Sequence, residues 1–149
     1  MSTERIGACL APHLQGGMLV TLQGELGSGK TTLVRGVLRA RGVTGAVKSP
    51  TYTLVEHYPV SSLYFYHFDF YRFTSEDEWD DAGFREYFRD DSVCLVEWPE
   101  RVARLLPAPD LALSLSYATP DGRELVVAAH SEAGERCLSA LAAEATPSR

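Results

Sequence analysis

Residues 24–32, GELGSGKTT, combine glycines, a lysine and two threonines at a spacing that suits phosphate binding. Gly24, Gly29, Lys30 and Thr31 satisfy the pattern G-x-x-x-x-G-K-[ST] between a predicted strand and a predicted helix. Glycines let backbone N–H groups converge on an anion, and a helix start adds partial positive charge. We predict that Lys30 contacts the β- and γ-phosphates of a nucleotide and that the Thr31 hydroxyl binds Mg²⁺. The predicted nucleotide-binding residues here are Glu25, Leu26, Gly27, Ser28, Gly29, Lys30, Thr31 and Thr32.

Two apolar runs end in an acid that could serve this metal, namely residues 64–69 (YFYHFD) and residues 93–97 (VCLVE). We favour Glu97 as the metal-side carboxylate, because its run best fits a buried parallel strand and ligands bind at the carboxyl ends of such strands. Asp69 is then the candidate to orient the attacking water or a water on the metal, with a cap or turn at a strand end as the alternative. His67 is expected to be a packed or hydrogen-bonded core residue.

The connection after the phosphate loop's helix carries KSPTYTL at residues 48–54. It is long enough to fold back over the phosphates, so Ser49 or Thr51 could sense the nucleotide state. A plain loop-to-strand turn set by Pro50 is an equally good interpretation. Four arginines are further candidates for phosphate or partner contacts, although surface charge is the better reading for each: Arg72, Arg85, Arg89 and Arg101.

The hydrophobic pattern predicts the elements that must hold these residues. A first helix spans residues 3–15 with Pro12 kinking or restarting it, and the second follows the loop as far as Gly42. Strands are predicted at residues 18–23, 53–58, 63–69, 92–97, 110–117 and 123–130, the last two forming a hairpin around residues 120–122. A short helix near residues 84–88 and a closing helix at 132–143 complete an α/β fold with a mixed sheet.

Composition limits the role of the chain. Its 149 residues predict one domain, 1–149, with a disordered tail from about residue 145. The formal net charge is −6 and the 14 Lys and Arg form no run, so unaided nucleic-acid binding is not expected. Three cysteines without C-x-x-C spacing predict buried free thiols in a reducing cytoplasm. Neither a secretory leader nor a membrane-spanning run is recognised.

Further motifs help to distinguish the classes of protein that use such a phosphate-binding loop. A GTPase switch needs a guanine-reading N-K-x-D, which the sequence lacks. A small-molecule kinase normally needs an arginine-bearing lid and an acceptor pocket, for which no segment after Glu97 is obvious. A nucleotide-gated binding module with negligible hydrolysis is hardly separable from an ATPase by sequence.

Four motifs in order, GELGSGKTT, KSPTYTLVE, YHFDFYR and CLVEWPER, resemble those of the TsaE (YjeE) family, the P-loop ATPases of bacterial tRNA threonylcarbamoyladenosine biosynthesis. The likeness runs from about Thr3 to Leu141, and the four motifs together are highly specific. It implies a P-loop NTPase-like three-layer sandwich whose central sheet, mostly parallel, is flanked by helices.

The resemblance also implies roles for individual residues. Thr31 and Glu97 hold Mg²⁺, Lys30 contacts the phosphates of ATP, and Asp69 is needed for hydrolysis. Residues 49–51, among them Thr51, form a switch-like loop over the γ-phosphate. Trp98 lies beside the metal carboxylate. Thr3 and Ser131 resemble positions at the edge of the base site, with helix capping as the alternative. The implied partners are the proteins TsaB and TsaD, with which slow or partner-dependent ATP hydrolysis supports repeated modification of adenosine 37 in tRNA.

Overall fold

Short apolar runs form the strands of one sheet in the computed structural model, which describes residues 2–117 and 123–145. The strands are β1 (Leu19–Gln23), β2 (Val55–Val60), β3 (Leu63–Asp69), β4 (Ser92–Glu97), β5 (Leu111–Tyr117) and β6 (Arg123–Ala129). They lie in the order β2-β3-β4-β1-β5-β6. The inner pairings β3–β4, β4–β1 and β1–β5 are parallel, whereas β2 and β6 pair antiparallel at the edges. The predicted mixed, mostly parallel sheet with a C-terminal antiparallel pair is confirmed.

Helices cover both faces of this sheet and complete the three layers. Within the described residues the α-helices are α1 (Thr3–Leu10), α2 (Lys30–Ala40), α3 (Glu76–Asp81) and α4 (Glu132–Ala145). One face of the sheet packs on α1, α2 and α4 through an aliphatic core. The other face packs on α3 and the 3₁₀ turns Phe84–Tyr87 and Pro99–Val102 through a largely aromatic core. Strand β4 lies between the two cores, and every residue in it is buried, as its continuous apolar run predicts.

Close packing of α1 on α2 depends on two glycines. A Cβ atom on Gly36 would lie 2.0 Å from the carbonyl oxygen of Glu4, and one on Gly7 would lie 2.1 Å from that of Leu33. Neither overlap is tolerable, so only glycine permits this approach of the two backbones. The contact brings the start of α1 close to the loop that precedes α2.

The predicted first helix is too long. Helix α1 ends at Leu10, and Pro12 lies within the 3₁₀ turn Ala11–His13, near its start. Proline has no N–H to donate to an α-helical hydrogen bond, and it is tolerated in the first turn of a helical segment. Pro12 therefore starts a new turn, which is the second of the two outcomes expected for it.

Two other expectations about local structure need correction. Strand β2 begins at Val55 rather than at residue 53, because Leu54 N donates to the Pro50 carbonyl oxygen at 2.7 Å and closes a turn there. Helix α3 was not predicted, since its sequence is acidic with Trp79 as its only buried residue. The predicted turn at residues 120–122 and the predicted disordered tail beyond residue 145 lie outside the described residues.

All three cysteines are free thiols, as predicted, with Cys94 and Cys137 buried. Burial raises the pKa of the Cys94 thiol to about 12. Across residues 2–117 and 123–145, no helix is both long and apolar enough to cross a membrane.

Candidate nucleotide and metal site

The loop between β1 and α2 has the backbone that phosphate binding requires. Gly24 has a φ of 151°, and a Cβ atom there would lie 2.6 Å from both the Leu115 carbonyl oxygen and Ser28 Oγ. Gly29 precedes α2 with a φ of 108°, which strains any residue with a side chain. The N–H groups of the first turn of α2 point toward the loop, as at any helix start. They have no acceptor within the helix, because no helical turn precedes them. An anion bound here would meet these donors and the positive end of the helix.

Lys30, the first residue of α2, is 4% exposed. Its ammonium donates to the Gly24 carbonyl oxygen and lies 3.9 Å from the centroid of the Trp98 ring. Burial lowers the pKa of Lys30, while the charges of Glu97 and Asp69 act in the opposite direction. The lysine thus closes back across its own loop, beside the position where a phosphate would lie.

Thr31 and Glu97 meet at the carboxyl end of β4. Thr31 Oγ1 donates to Glu97 Oε2 at 2.9 Å, and His67 Nε2 lies 2.5 Å from the same oxygen. Glu97 is 2% exposed and His67 is fully buried. The structure therefore places the two predicted metal-binding residues in direct contact.

Asp69 lies beside Glu97, because the two residues are register partners on the parallel strands β3 and β4. Its Oδ1 accepts the backbone N–H of Tyr71 at 2.9 Å. Burial raises the pKa of Asp69, the Tyr71 N–H bond opposes the increase, and the charge of Glu97 adds to it. A carboxyl group with a raised pKa at a strand end next to the phosphate loop is suited to holding a water molecule and accepting its proton.

The loop at residues 49–51 folds back onto this end of the sheet. Ser49 Oγ and Thr51 Oγ1 lie 2.8 Å apart, and Thr51 Oγ1 donates weakly to Asp69 Oδ2 at 3.5 Å. Asp69 N donates to the Leu54 carbonyl oxygen at 3.0 Å, which fixes the end of the loop on β3. Thr51 is thus next to Asp69, and the turn at Pro50 is present as well, so this geometry fits both interpretations of the loop.

The donor set around Thr31 fits Mg²⁺ rather than a metal held wholly by protein. Thr31 and Glu97 offer hydroxyl and carboxylate oxygens, which are hard ligands. No group of three or more His, Cys, Asp and Glu able to hold a metal occurs within the part of the chain that the structure describes. Mg²⁺ commonly uses one or two protein oxygens and completes its coordination with waters and substrate phosphates. These residues therefore fit the ion that the phosphate loop implies.

A cleft of about 750 Å³ adjoins the phosphate loop. It is lined by the start of α1, the loop, α2 and the β5–β6 edge, including Thr3, Glu4, Leu26, Gly27, Gly29, Lys30, Thr31, Thr32, Leu115, Glu124 and Leu125. Thr3 lies against Gly29, since a Cβ atom on that glycine would be 3.1 Å from Thr3 Cγ2. The cleft has room for a ribose and a base, and Thr3 is part of its wall.

Ser131 does not lie at this cleft, although the resemblance placed it at the edge of the base site. Its Oγ accepts the backbone N–H of Gly134 at 3.1 Å, so it caps α4, which was the stated alternative. Strand β6 ends where β5 begins, because Ala129 pairs with Leu111. Ser131 therefore lies at the end of the sheet opposite the phosphate loop.

Sequence reasoning missed three contacts of the site. His67 touches Glu97, Trp98 lies under Lys30, and the Tyr117 hydroxyl donates to the Gly27 carbonyl oxygen at 2.7 Å. The alternation of β3 could have indicated the first, because side chains two residues apart share a face of a strand. By that rule His67 lies on the same face as Asp69. The resemblance placed Trp98 beside the metal carboxylate but did not indicate its contact with Lys30. Nothing in the sequence indicates the contact of Tyr117.

Comparisons of the sequence and the fold with known proteins point to one family. A family model described as "Threonylcarbamoyl adenosine biosynthesis protein TsaE" matches residues 1–125. The tRNA threonylcarbamoyladenosine biosynthesis protein TsaE of Haemophilus influenzae is 43% identical over 129 residues, 87% of this chain and 81% of that protein. The protein of the same name from Bacillus subtilis is 39% identical over 127 residues, 85% of this chain and 79% of that protein. The crystal structure of Bacillus subtilis YdiB superposes with a TM-score of 0.79 at 31% identity, covering 97% of this chain and 89% of that one.

Proposed function

The chain belongs to the TsaE family, and we propose that it binds and slowly hydrolyses ATP with Mg²⁺ in support of N6-threonylcarbamoyladenosine formation at position 37 of tRNA. The observation that carries the proposal is the contact of Thr31 with Glu97, 2.9 Å apart, directly beneath a glycine loop that opens a helix. A turn with only a structural role does not need a buried carboxylate such as Glu97 against the hydroxyl of Thr31. A loop that binds a nucleotide and its metal needs both groups.

In the proposed complex, the phosphates lie across the N-terminus of α2 and accept hydrogen bonds from its free N–H groups. Lys30 leaves the Gly24 carbonyl oxygen and donates to the β- and γ-phosphates. Mg²⁺ supplies positive charge that offsets the negative charge of the phosphates, and Thr31 and Glu97 are the residues that would hold it.

Hydrolysis needs a water molecule in line with the terminal phosphate. Asp69 is the residue we assign to orient that water and to accept its proton, since its raised pKa suits a general base. Thr51, 3.5 Å from the Asp69 carboxylate, is positioned to couple the loop at residues 49–51 to the presence of the γ-phosphate.

We further propose that turnover depends on TsaB and TsaD as partners in the cytoplasm. The rim of the site offers a surface for a protein, because Tyr52 is 82% exposed and the Arg72 guanidinium lies 4.7 Å from its ring centroid. Tyr52 follows Thr51 in the chain, so a protein bound there contacts the loop beside Asp69. An acidic chain with no basic run fits a role in tRNA modification that is exercised through protein partners.

Isothermal titration of ATP with Mg²⁺ and size-exclusion chromatography with TsaB and TsaD together test this function. We expect one ATP per chain and a complex whose formation depends on nucleotide. Lys30→Ala should weaken ATP binding about 10- to 100-fold through the loss of charge-assisted hydrogen bonds. Equal ATP affinity in wild type and Lys30→Ala refutes the assignment of Lys30 to the phosphates. Failure of the wild-type chain to associate with TsaB and TsaD in any nucleotide state refutes the partner assignment.

A further inference from the structure

The imidazole of His67 is fully buried in β3 and contacts the carboxylate of Glu97. Its Nε2 lies 2.5 Å from Glu97 Oε2, the same oxygen that accepts the Thr31 hydroxyl. Its other ring nitrogen, Nδ1, is buried and makes no hydrogen bond to any residue within 2–117 and 123–145. A histidine that serves only packing gains nothing from an unpartnered buried nitrogen, which destabilises the folded chain.

These contacts determine where the proton of the ring lies. A carboxylate offers only acceptors, so Nε2 carries the hydrogen and donates it to Glu97. The other nitrogen, Nδ1, has no hydrogen-bond partner among the described residues. The contact with Glu97 is therefore the hydrogen bond that orients the ring.

We propose that His67 is a positioning residue, which holds the Glu97 carboxylate in the orientation that Mg²⁺ binding requires; the proposal rests on the function proposed above. Two donors, from His67 and Thr31, converge on Oε2 and fix the rotation of the carboxylate. Both of these donors use Oε2, so Oε1 is the oxygen we assign to the cation or its water.

The hydrogen bond from His67 also keeps the Glu97 carboxylate facing the Thr31 hydroxyl. A hydrogen bond to a metal-binding residue typically changes metal affinity about 10- to 100-fold.

The test compares His67→Leu with His67→Gln. Leucine fills the space without a donor, whereas the glutamine amide can place an N–H near the position of Nε2. The matched control is His57→Gln on β2, where the side chain is exposed. Each protein is titrated with fluorescent N-methylanthraniloyl-ADP, once in Mg²⁺ and once in EDTA. The ratio of the nucleotide affinity in Mg²⁺ to that in EDTA measures how strongly metal and nucleotide binding support each other.

We expect His67→Leu to lower that ratio by about tenfold and to leave the affinity in EDTA unchanged. His67→Gln should stay within about threefold of wild type, and His57→Gln should match it. An unchanged ratio in His67→Leu, or an equal loss in the leucine and glutamine variants, overturns the positioning role. Wild-type protein that binds no nucleotide, or binds it equally with and without Mg²⁺, instead overturns the proposed function and the inference with it.

A measurement on the wild-type protein covers the case in which the variants fail to fold. The ¹⁵N spectrum of the His67 ring, assigned by the loss of its signals in His67→Gln or by sequential assignment, reports the protonation of each nitrogen. We expect a hydrogen on Nε2, the nitrogen that faces Glu97. A ring whose Nε2 carries no hydrogen refutes the proposal.

Discussion

Replacing Asp69 by asparagine is expected to stabilise the folded chain while abolishing hydrolysis. Asparagine has nearly the same shape, so its Oδ1 can keep the hydrogen bond from Tyr71 N, and its amide can donate to Thr51 Oγ1. The substitution chiefly removes a negative charge, only 5% exposed, beside the register partner Glu97. It also removes an attraction to Lys30, which is a smaller influence on the Asp69 carboxyl than burial or Glu97.

The pH dependence follows from the pKa of Asp69, which burial raises above the ordinary value of 3.8. The folded state binds this proton more tightly than the unfolded chain does. Below pH 3.8 both states carry the proton, so the aspartate costs no stability. As the pH rises from there through the folded-state pKa, the wild type loses stability relative to the variant by up to about 1.4 kcal/mol per pH unit. Above that window the difference is constant.

Urea unfolding at pH 5, 6, 7 and 8, followed by tryptophan fluorescence, measures this difference. The asparagine variant should unfold at higher urea near neutral pH, and each 1 kcal/mol corresponds to a Tm gain of about 2–4 °C at this chain length. Asp90→Asn, at an exposed position, should leave stability unchanged. Hydrolysis with partners should fall at least about 100-fold in Asp69→Asn.

Two results would refute this reasoning. Equal stability of Asp69→Asn and wild type from pH 5 to pH 8 would show that the site does not disfavour the charge. A stabilised variant that hydrolyses ATP at the wild-type rate would show that Asp69 does not orient the water.

Two further predictions concern packing and the resting position of Lys30. Gly36→Ala should lower the free energy of unfolding by about 1–2 kcal/mol despite the better helix propensity of alanine, because its Cβ would lie 2.0 Å from the Glu4 carbonyl oxygen. Gly45→Ala is the control in thermal melts, since a Cβ there would meet no atom within 4 Å. Equal Tm values for Gly36→Ala and wild type would contradict the proposed close packing of α1 on α2. ATP should change the emission of Trp98, because Lys30 must leave its position 3.9 Å from the ring to reach the phosphates, and a signal that persists in Trp98→Phe would contradict this.

Most of the fold could be predicted because hydrophobic periodicity records it directly. The buried run of β4 and the loop before α2 are confirmed close to their predicted bounds. Helix α3 was missed because its stability comes from one buried tryptophan against an aromatic core, a tertiary contact with no local period. The end of α1 was misplaced because the helical spacing continues across Pro12, where the chain changes to a 3₁₀ turn.

The site was predictable where motif and topology agree. Thr31 follows the loop, Glu97 ends a parallel strand, and the carboxyl ends of neighbouring parallel strands bring Asp69 beside Glu97. The base edge was less predictable, because Ser131 was assigned by resemblance without knowing at which end of the sheet β6 finishes. The contact of His67 with Glu97 depends on side-chain rotamers, which a sequence does not contain.

Phosphate release from ATP, measured for the chain alone and with TsaB and TsaD, tests whether ATP is hydrolysed at this loop. We expect slow Mg²⁺-dependent release that the partners increase, and a rate at least about tenfold lower in Lys30→Ala under the same conditions. Release that is the same in wild type and Lys30→Ala would mean that the chemistry does not occur at this loop. ATP binding with no release under any condition would identify a nucleotide-gated binding module and contradict the ATPase assignment.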